Sequence, residues 1–92
     1  MNITTTARDF EMSRAIDSFA REQLDATLQP FSDSIISIDL FMKDANGPKG
    51  GIDKEVLIRA HLRNRQQIAL QSTHENLYAA IKSGVKRIKR AV

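Results

Sequence analysis

The chain is 92 residues long, has no cysteine or tryptophan, and carries 14 Lys and Arg against 11 Asp and Glu, a net charge of +3. That length suits one domain, residues 1–92, around a single core, and the absence of cysteine excludes disulfides, thiol nucleophiles and thiolate metal sites. Met1–Ala7 lacks the basic start and apolar run of a signal peptide, and no apolar stretch nears the ~20 residues that span a bilayer, so a soluble, cytoplasmic protein is expected.

Asn2–Ala7 is threonine-rich and weakly alternating, which predicts a strand. Ser13 offers a helix N-cap, and Ile16, Phe19, Ala20, Leu24 and Leu28 then recur at helical spacing until Pro30 stops the helix. Ser34–Lys43 alternates, placing Ile36, Ile38, Leu40 and Met42 on one face and Ser37, Asp39, Phe41 and Lys43 on the other. Lys54–Arg63 repeats the pattern, with Val56, Ile58, Ala60 and Leu62 inward and Glu55, Arg59, His61 and Arg63 outward. Between these two strands lies a Gly/Pro-rich loop, Asp44–Asp53. A polar turn at Asn64–Gln66 leads into a third alternating run, Gln67–Ser72, with Ile68 and Leu70 inward. Ser72 and Glu75 then form a capping-box pattern that is expected to start the last helix, with His74 in its first turn.

The order is β-α-β-β-β-α, an α+β fold. The first two strands pair in parallel across a helical crossover and the later ones form an antiparallel meander, giving one four-stranded mixed sheet. Each strand has one apolar face, so both helices should pack on the same side and leave the other open.

The charge is unevenly spread. Residues 1–45 sum to −4 and residues 46–92 to +7. In the last helix, Leu77, Ile81, Gly84, Val85 and Ile88 form a narrow apolar stripe; Lys82, Lys86, Lys89 and Arg90 lie opposite, with Arg87 on a flank and no acid after Glu75. The apolar stripe is needed for folding, but the basic one is not. It is either a solvated face or a surface for phosphate, on nucleic acid or an anionic membrane. The stripe's narrowness, its lack of Trp or Phe, and Gly84 favour packing on a protein layer over lying on a membrane.

Other motifs offer no chemistry. Gly47–Lys54 resembles a phosphate loop but lacks the Gly-Lys-Ser/Thr ending and leads into a strand. Asp44, Asn46 and Glu55 mimic calcium-loop spacing, yet Pro48 and Lys49 occupy places that need an oxygen ligand and a glycine. His61, among arginines, and His74 are the only histidines, so no metal site, cofactor or small-molecule substrate is expected. No nucleophile–base pair is legible, and the chain does not read as an enzyme.

Asp9-Phe-Glu-Met-Ser13 ahead of the first helix, and Glu75-Asn-Leu-Tyr-Ala-Ala-Ile81 followed by Arg87, Ile88 and Arg90, resemble the ribosome hibernation-promoting factor and ribosome-associated inhibitor family, formerly called sigma-54 modulation proteins. The resemblance spans nearly the whole chain. It departs at Lys82, where the family usually has an aspartate, and in the longer Asn46–Lys54 loop. It implies a cytoplasmic, non-enzymatic factor that binds the small ribosomal subunit (16S-type rRNA), blocks the messenger and transfer RNA channel, and protects idle ribosomes under stress or in stationary phase. The chain resembles the short form, which lacks the dimerisation domain and is expected to be monomeric. Lys82, Lys86, Arg87, Lys89 and Arg90 would then contact rRNA, with Arg59, Arg63 and Arg65 as a second set. The rival expectations are a general structured-RNA binder and, further off, a protein-interaction module that modulates a transcription factor.

Overall fold

A computed structural model of the chain describes residues 1–8, 10–44 and 54–92. The elements run β1 (Asn2–Arg8), α1 (Arg14–Leu28), a one-turn 3-10 helix (Gln29–Phe31), β2 (Ile35–Asp44), β3 (Lys54–Leu62), β4 (Gln67–His74) and α2 (Leu77–Ala91). The glycine-rich loop read from the sequence lies, apart from Asp44 at its start, outside the described residues; the Asp44 side chain is bridged at 3.1 Å to Lys54, the first residue of β3.

The sheet order is β1-β2-β3-β4, with β1 parallel to β2 and the other pairs antiparallel. Both helices cover the same side. There, Ile38, Leu40 and Met42 of β2 and Val56, Ile58, Ala60 and Leu62 of β3 meet Ala20, Leu24 and Leu28 of α1 and Ala80, Ile81, Val85 and Ile88 of α2. From Ile38 on, the period-2 strands and period-3.6 helices thus turn inward the residues their spacing predicts, with Ile16, Phe19, Ile68, Leu70 and Leu77 partly buried around that core.

Ser13 caps α1 by accepting from the Ile16 N–H at 3.1 Å. Asp17, in the first turn where the helix dipole favours an anion, accepts a hydrogen bond from the Thr5 hydroxyl and pairs with Arg21 at 3.1 Å. Arg21 also donates to the Ile3 carbonyl at 2.9 Å, fastening α1 to the edge strand. The Thr5 hydrogen bond and then the Arg21 charge hold the Asp17 carboxyl below its ordinary pKa, outweighing the opposing desolvation.

Two local expectations are corrected. Ile36 is not in the core: it is 48% exposed and Ile35 is fully buried in its place. Ile35 pairs with Leu62 but Ser37 with His61, so Ile36 is the extra residue of a bulge that reverses the alternation at the start of β2. Nor does Ser72 cap α2. It continues the inward alternation of Ile68 and Leu70, is buried, and lies beneath Gly84. The sheet runs on to His74, so the N-cap falls to Asn76, whose side chain accepts from Tyr78 N–H at 2.8 Å and Ala79 N–H at 3.3 Å. His74 is therefore the last residue of β4, its Nδ1 accepting from the Asn76 N–H at 3.2 Å.

Candidate nucleic-acid interface

The sequence of α2 divides its surface in two. Ala80, Ile81, Gly84, Val85 and Ile88 are buried against the sheet, while Lys82, Lys86, Arg87, Lys89 and Arg90 are exposed. Gly84 makes the close approach possible, because a Cβ there would lie 2.9 Å from Ile58 Cδ1. Close packing presses the apolar stripe onto β3 and β4 and turns the basic stripe to solvent. Lys89 and Arg90 occupy the last turn, where cations complement the helix dipole. Among the described residues, no carboxylate pairs with Lys82, Lys86, Lys89 or Arg90. Exposed cations with no internal partner keep their full charge available to an external anion.

Arg87 stands apart. Its Nη1 donates to the Gln71 carbonyl at 2.7 Å, which ties the helix to β4. Arg87 is thus a structural brace as well as a surface cation. Tyr78, 40% exposed, packs edge-on to Phe19 of α1 with ring centroids 4.9 Å apart.

The second set of arginines is dispersed. Arg59 lies on the open face of the sheet, away from the helices, with its guanidinium carbon 6.0 Å from the Phe41 ring centroid. Its Nε is buried without a hydrogen-bond partner. Arg63 bends back to the α1–β2 connection, donating from Nε to the Asp33 carbonyl at 2.7 Å. Arg65 is exposed in the four-residue β3–β4 connection, which is closed by Arg65 N–H to Leu62 O at 3.0 Å and Leu62 N–H to Gln66 O at 2.9 Å. It holds a φ of 72°, a left-handed conformation that glycine or asparagine adopts more readily. The candidate residues therefore fall on two opposite faces and one sheet end.

The open face is set by strand register. Thr6, Phe41, Leu57 and Gln71 form one cross-strand row; Arg8, Lys43, Glu55 and Thr73 form the next; Thr4, Asp39, Arg59 and Ala69 lie on the other side. Asp39 meets His61 Nε2 at 3.1 Å, and Glu55 accepts from Gln71 Nε2 at 3.2 Å. Sequence reasoning missed Arg8. Its place beside Lys43 follows from the parallel β1–β2 register, which one strand's pattern does not encode. Among the described residues, no group of three or more His, Asp or Glu side chains is arranged to hold a metal ion, and no helix is long and apolar enough to cross a membrane.

These features define a small two-layer α+β domain with a cationic helix on one side and an open sheet on the other. The chain belongs to the family described as Sigma 54 modulation protein / S30EA ribosomal protein, whose model matches residues 3–92. Its fold is similar to that of the Protein Y N-terminal domain of Thermus thermophilus, at a TM-score of 0.81 and 22% identity over 99% of this chain and 94% of that one. It is also similar to a ribosomal subunit interface protein from Coxiella burnetii, at a TM-score of 0.75 and 16% identity over 99% of this chain and 92% of that one. No curated protein sequence matches the chain significantly.

Proposed function

We propose that residues 1–92 form a single ribosome-binding domain of the hibernation-factor type. It docks on the rRNA of the small subunit through the basic face of α2 and occupies the channel of messenger and transfer RNA. The reading rests on one observation above all: the exposed row of Lys82, Lys86, Lys89 and Arg90 without a carboxylate partner among the described residues. Membership of the Sigma 54 modulation protein / S30EA ribosomal protein family, and the name of the similar Coxiella burnetii subunit interface protein, point the same way.

The mechanism is occlusion and needs no chemical step. Lysine ammoniums neutralise phosphates as point charges, and Arg90 adds a fork that matches two phosphate oxygens. Such contacts carry little sequence information, so the shape of folded RNA supplies the selectivity. Cations on both faces of a thin domain, α2 on one and Arg59 on the other, suit a body inserted between RNA walls better than one lying on a flat surface. The protein acts in the cytoplasm, where ribosomes idle under stress or in stationary phase, and as a monomer.

The test is co-sedimentation of the full chain with small subunits and with whole ribosomes near physiological salt, with and without duplex RNA as competitor. Saturable one-to-one binding that survives the competitor, together with loss of messenger binding, is the expected result. Binding abolished by any duplex would instead identify a general structured-RNA binder, and no binding would remove the ribosomal reading.

A further inference from the structure

We propose that the open face of the sheet is a second RNA site, a platform that stacks one unpaired base on Phe41; this rests on the RNA-binding reading of α2. The face carries a shallow depression of about 340 Å³, lined by Arg8, Phe41, Lys43, Glu55, Leu57 and Arg59 among others. That volume lies at the lower end of small-ligand sites. Register explains its composition. Phe41 and Leu57 are direct cross-strand partners and make an apolar floor in the middle of the sheet. Arg8 and Lys43, paired across β1 and β2, stand one row to one side; Arg59 stands one row to the other. Adjacent same-face rows are about 6.7 Å apart, so the cations flank the floor roughly 13 Å from each other and can lean inward over it.

The cations of this face outnumber its carboxylates by one: Glu55 stands in the row of Arg8 and Lys43, and Asp39 lies across from Arg59. Glu55 accepts from Gln71 and Asp39 meets His61, and among the described residues no carboxylate is in ion-pair contact with Arg8, Lys43 or Arg59. The Nε of Arg59 is buried beside the depression and lacks any hydrogen-bond partner. An apolar aromatic floor with Arg8 and Lys43 on one side and Arg59 on the other complements a ligand with a flat π-face and a negative charge on either side. A nucleotide within a single strand has that form: its base stacks on the ring, and its 5′ and 3′ phosphates meet Arg8 and Lys43 on one side and Arg59 on the other. Arg59 swings off the Phe41 ring to admit the base, exchanging one stacking partner for another and bringing its Nε to an oxygen acceptor. A duplex cannot do this, because its bases are already stacked. The two faces thus divide the work, α2 meeting the phosphates of folded RNA and the sheet holding an unpaired base.

The test is an NMR titration of the full-length chain with an adenine pentaribonucleotide, too short to fold, beside small-subunit co-sedimentation of the same variants. The expected result is that amide shifts cluster at Thr6, Phe41, Leu57 and Arg59. Phe41→Ala should weaken the pentamer about 5- to 150-fold, the range for loss of one stacked base, while Phe41→Tyr, which keeps the ring, retains affinity. Arg59→Gln, which leaves the floor intact, weakens it several-fold and covers the case in which Phe41→Ala unfolds. No pentamer binding, shifts confined to α2, or equal affinity of the Phe41→Ala and wild-type proteins overturns the stacking site. Loss of subunit binding on neutralising α2 remains a separate readout. If that loss fails to appear while the pentamer still depends on Phe41, the helix reading falls and the stacking site stands.

Discussion

Neutralising the outer face of α2 gives the sharpest test of the helix as an rRNA-binding surface. The variant combines Lys82→Gln, Lys86→Gln, Lys89→Gln and Arg90→Gln, all at exposed positions outside the core. Arg87 is left alone because its bond to the Gln71 carbonyl would confuse binding with folding. Each phosphate neutralised contributes about 0.9 to the slope of log K against log salt, so four lost contacts should flatten that slope by roughly 3.6. Between 50 and 200 mM salt, the wild-type protein should then lose on the order of 150 times more affinity than the variant, about 3 kcal/mol of salt-dependent binding. Gln matches Lys and Arg closely in helix propensity, and losing Lys89 and Arg90 from the last turn removes about 0.3–1 kcal/mol each, so the variant should still fold. The assay is anisotropy of labelled protein titrated with small subunits at four salt concentrations, with circular dichroism as the check on folding. Equal slopes for the two folded proteins would show that these cations do not meet phosphates, and the proposed docking surface would be wrong.

Other predictions concern the scaffold that presents this face. Gly84→Ala gains about 1 kcal/mol of helix propensity but places a methyl 2.9 Å from Ile58 Cδ1, at an overpacking cost of about 1–3 kcal/mol. Urea unfolding should show a net loss that Ile58→Val, which deletes that Cδ1, reverses in the double variant; a purely additive pair would contradict the close approach. Asp17→Asn should destabilise the domain by about 1 kcal/mol at neutral pH, a low figure for a charged acceptor because the carboxylate keeps part of its hydration. Since the folded pKa lies below the ordinary 3.8, the wild-type advantage is fully present above that pH and is lost as pH falls through the folded value; a gap that persists at lower pH would refute the assignment. Arg65→Gly should raise the melting temperature by relieving the left-handed backbone, a gain of about 0.5–1 kcal/mol, while lowering RNA affinity if Arg65 touches RNA; a fall in stability would show that the turn imposes no strain there.

The amino-acid sequence by itself determined the element order, the Ser13 cap, the inward faces of β3 and of β2 beyond Ile38, and the two-sided character of α2. All of these follow from interactions within a few residues of chain. Hydrophobic period distinguishes strand from helix, and side chains three or four apart on a helix share a face whatever lies beyond it. The fold class was therefore legible before any contact was known. Tertiary structure decided what depends on partners distant in sequence. Ile35 rather than Ile36 enters the core because a bulge against β3 absorbs one residue. Asn76 rather than Ser72 caps α2 because pairing with β3 extends β4 to His74 and draws Ser72 under Gly84. Eight cations that look like one candidate set in the sequence are separated by the sheet: five ride on α2, Arg59 faces the opposite side, Arg63 bends to the Asp33 carbonyl, and Arg65 tips the turn. The Phe41 floor and its flanking cations depend on the register of three strands from distant parts of the chain. Charge can be counted along a sequence, but which charges share a surface is fixed only by strand pairing and by the face on which each helix packs.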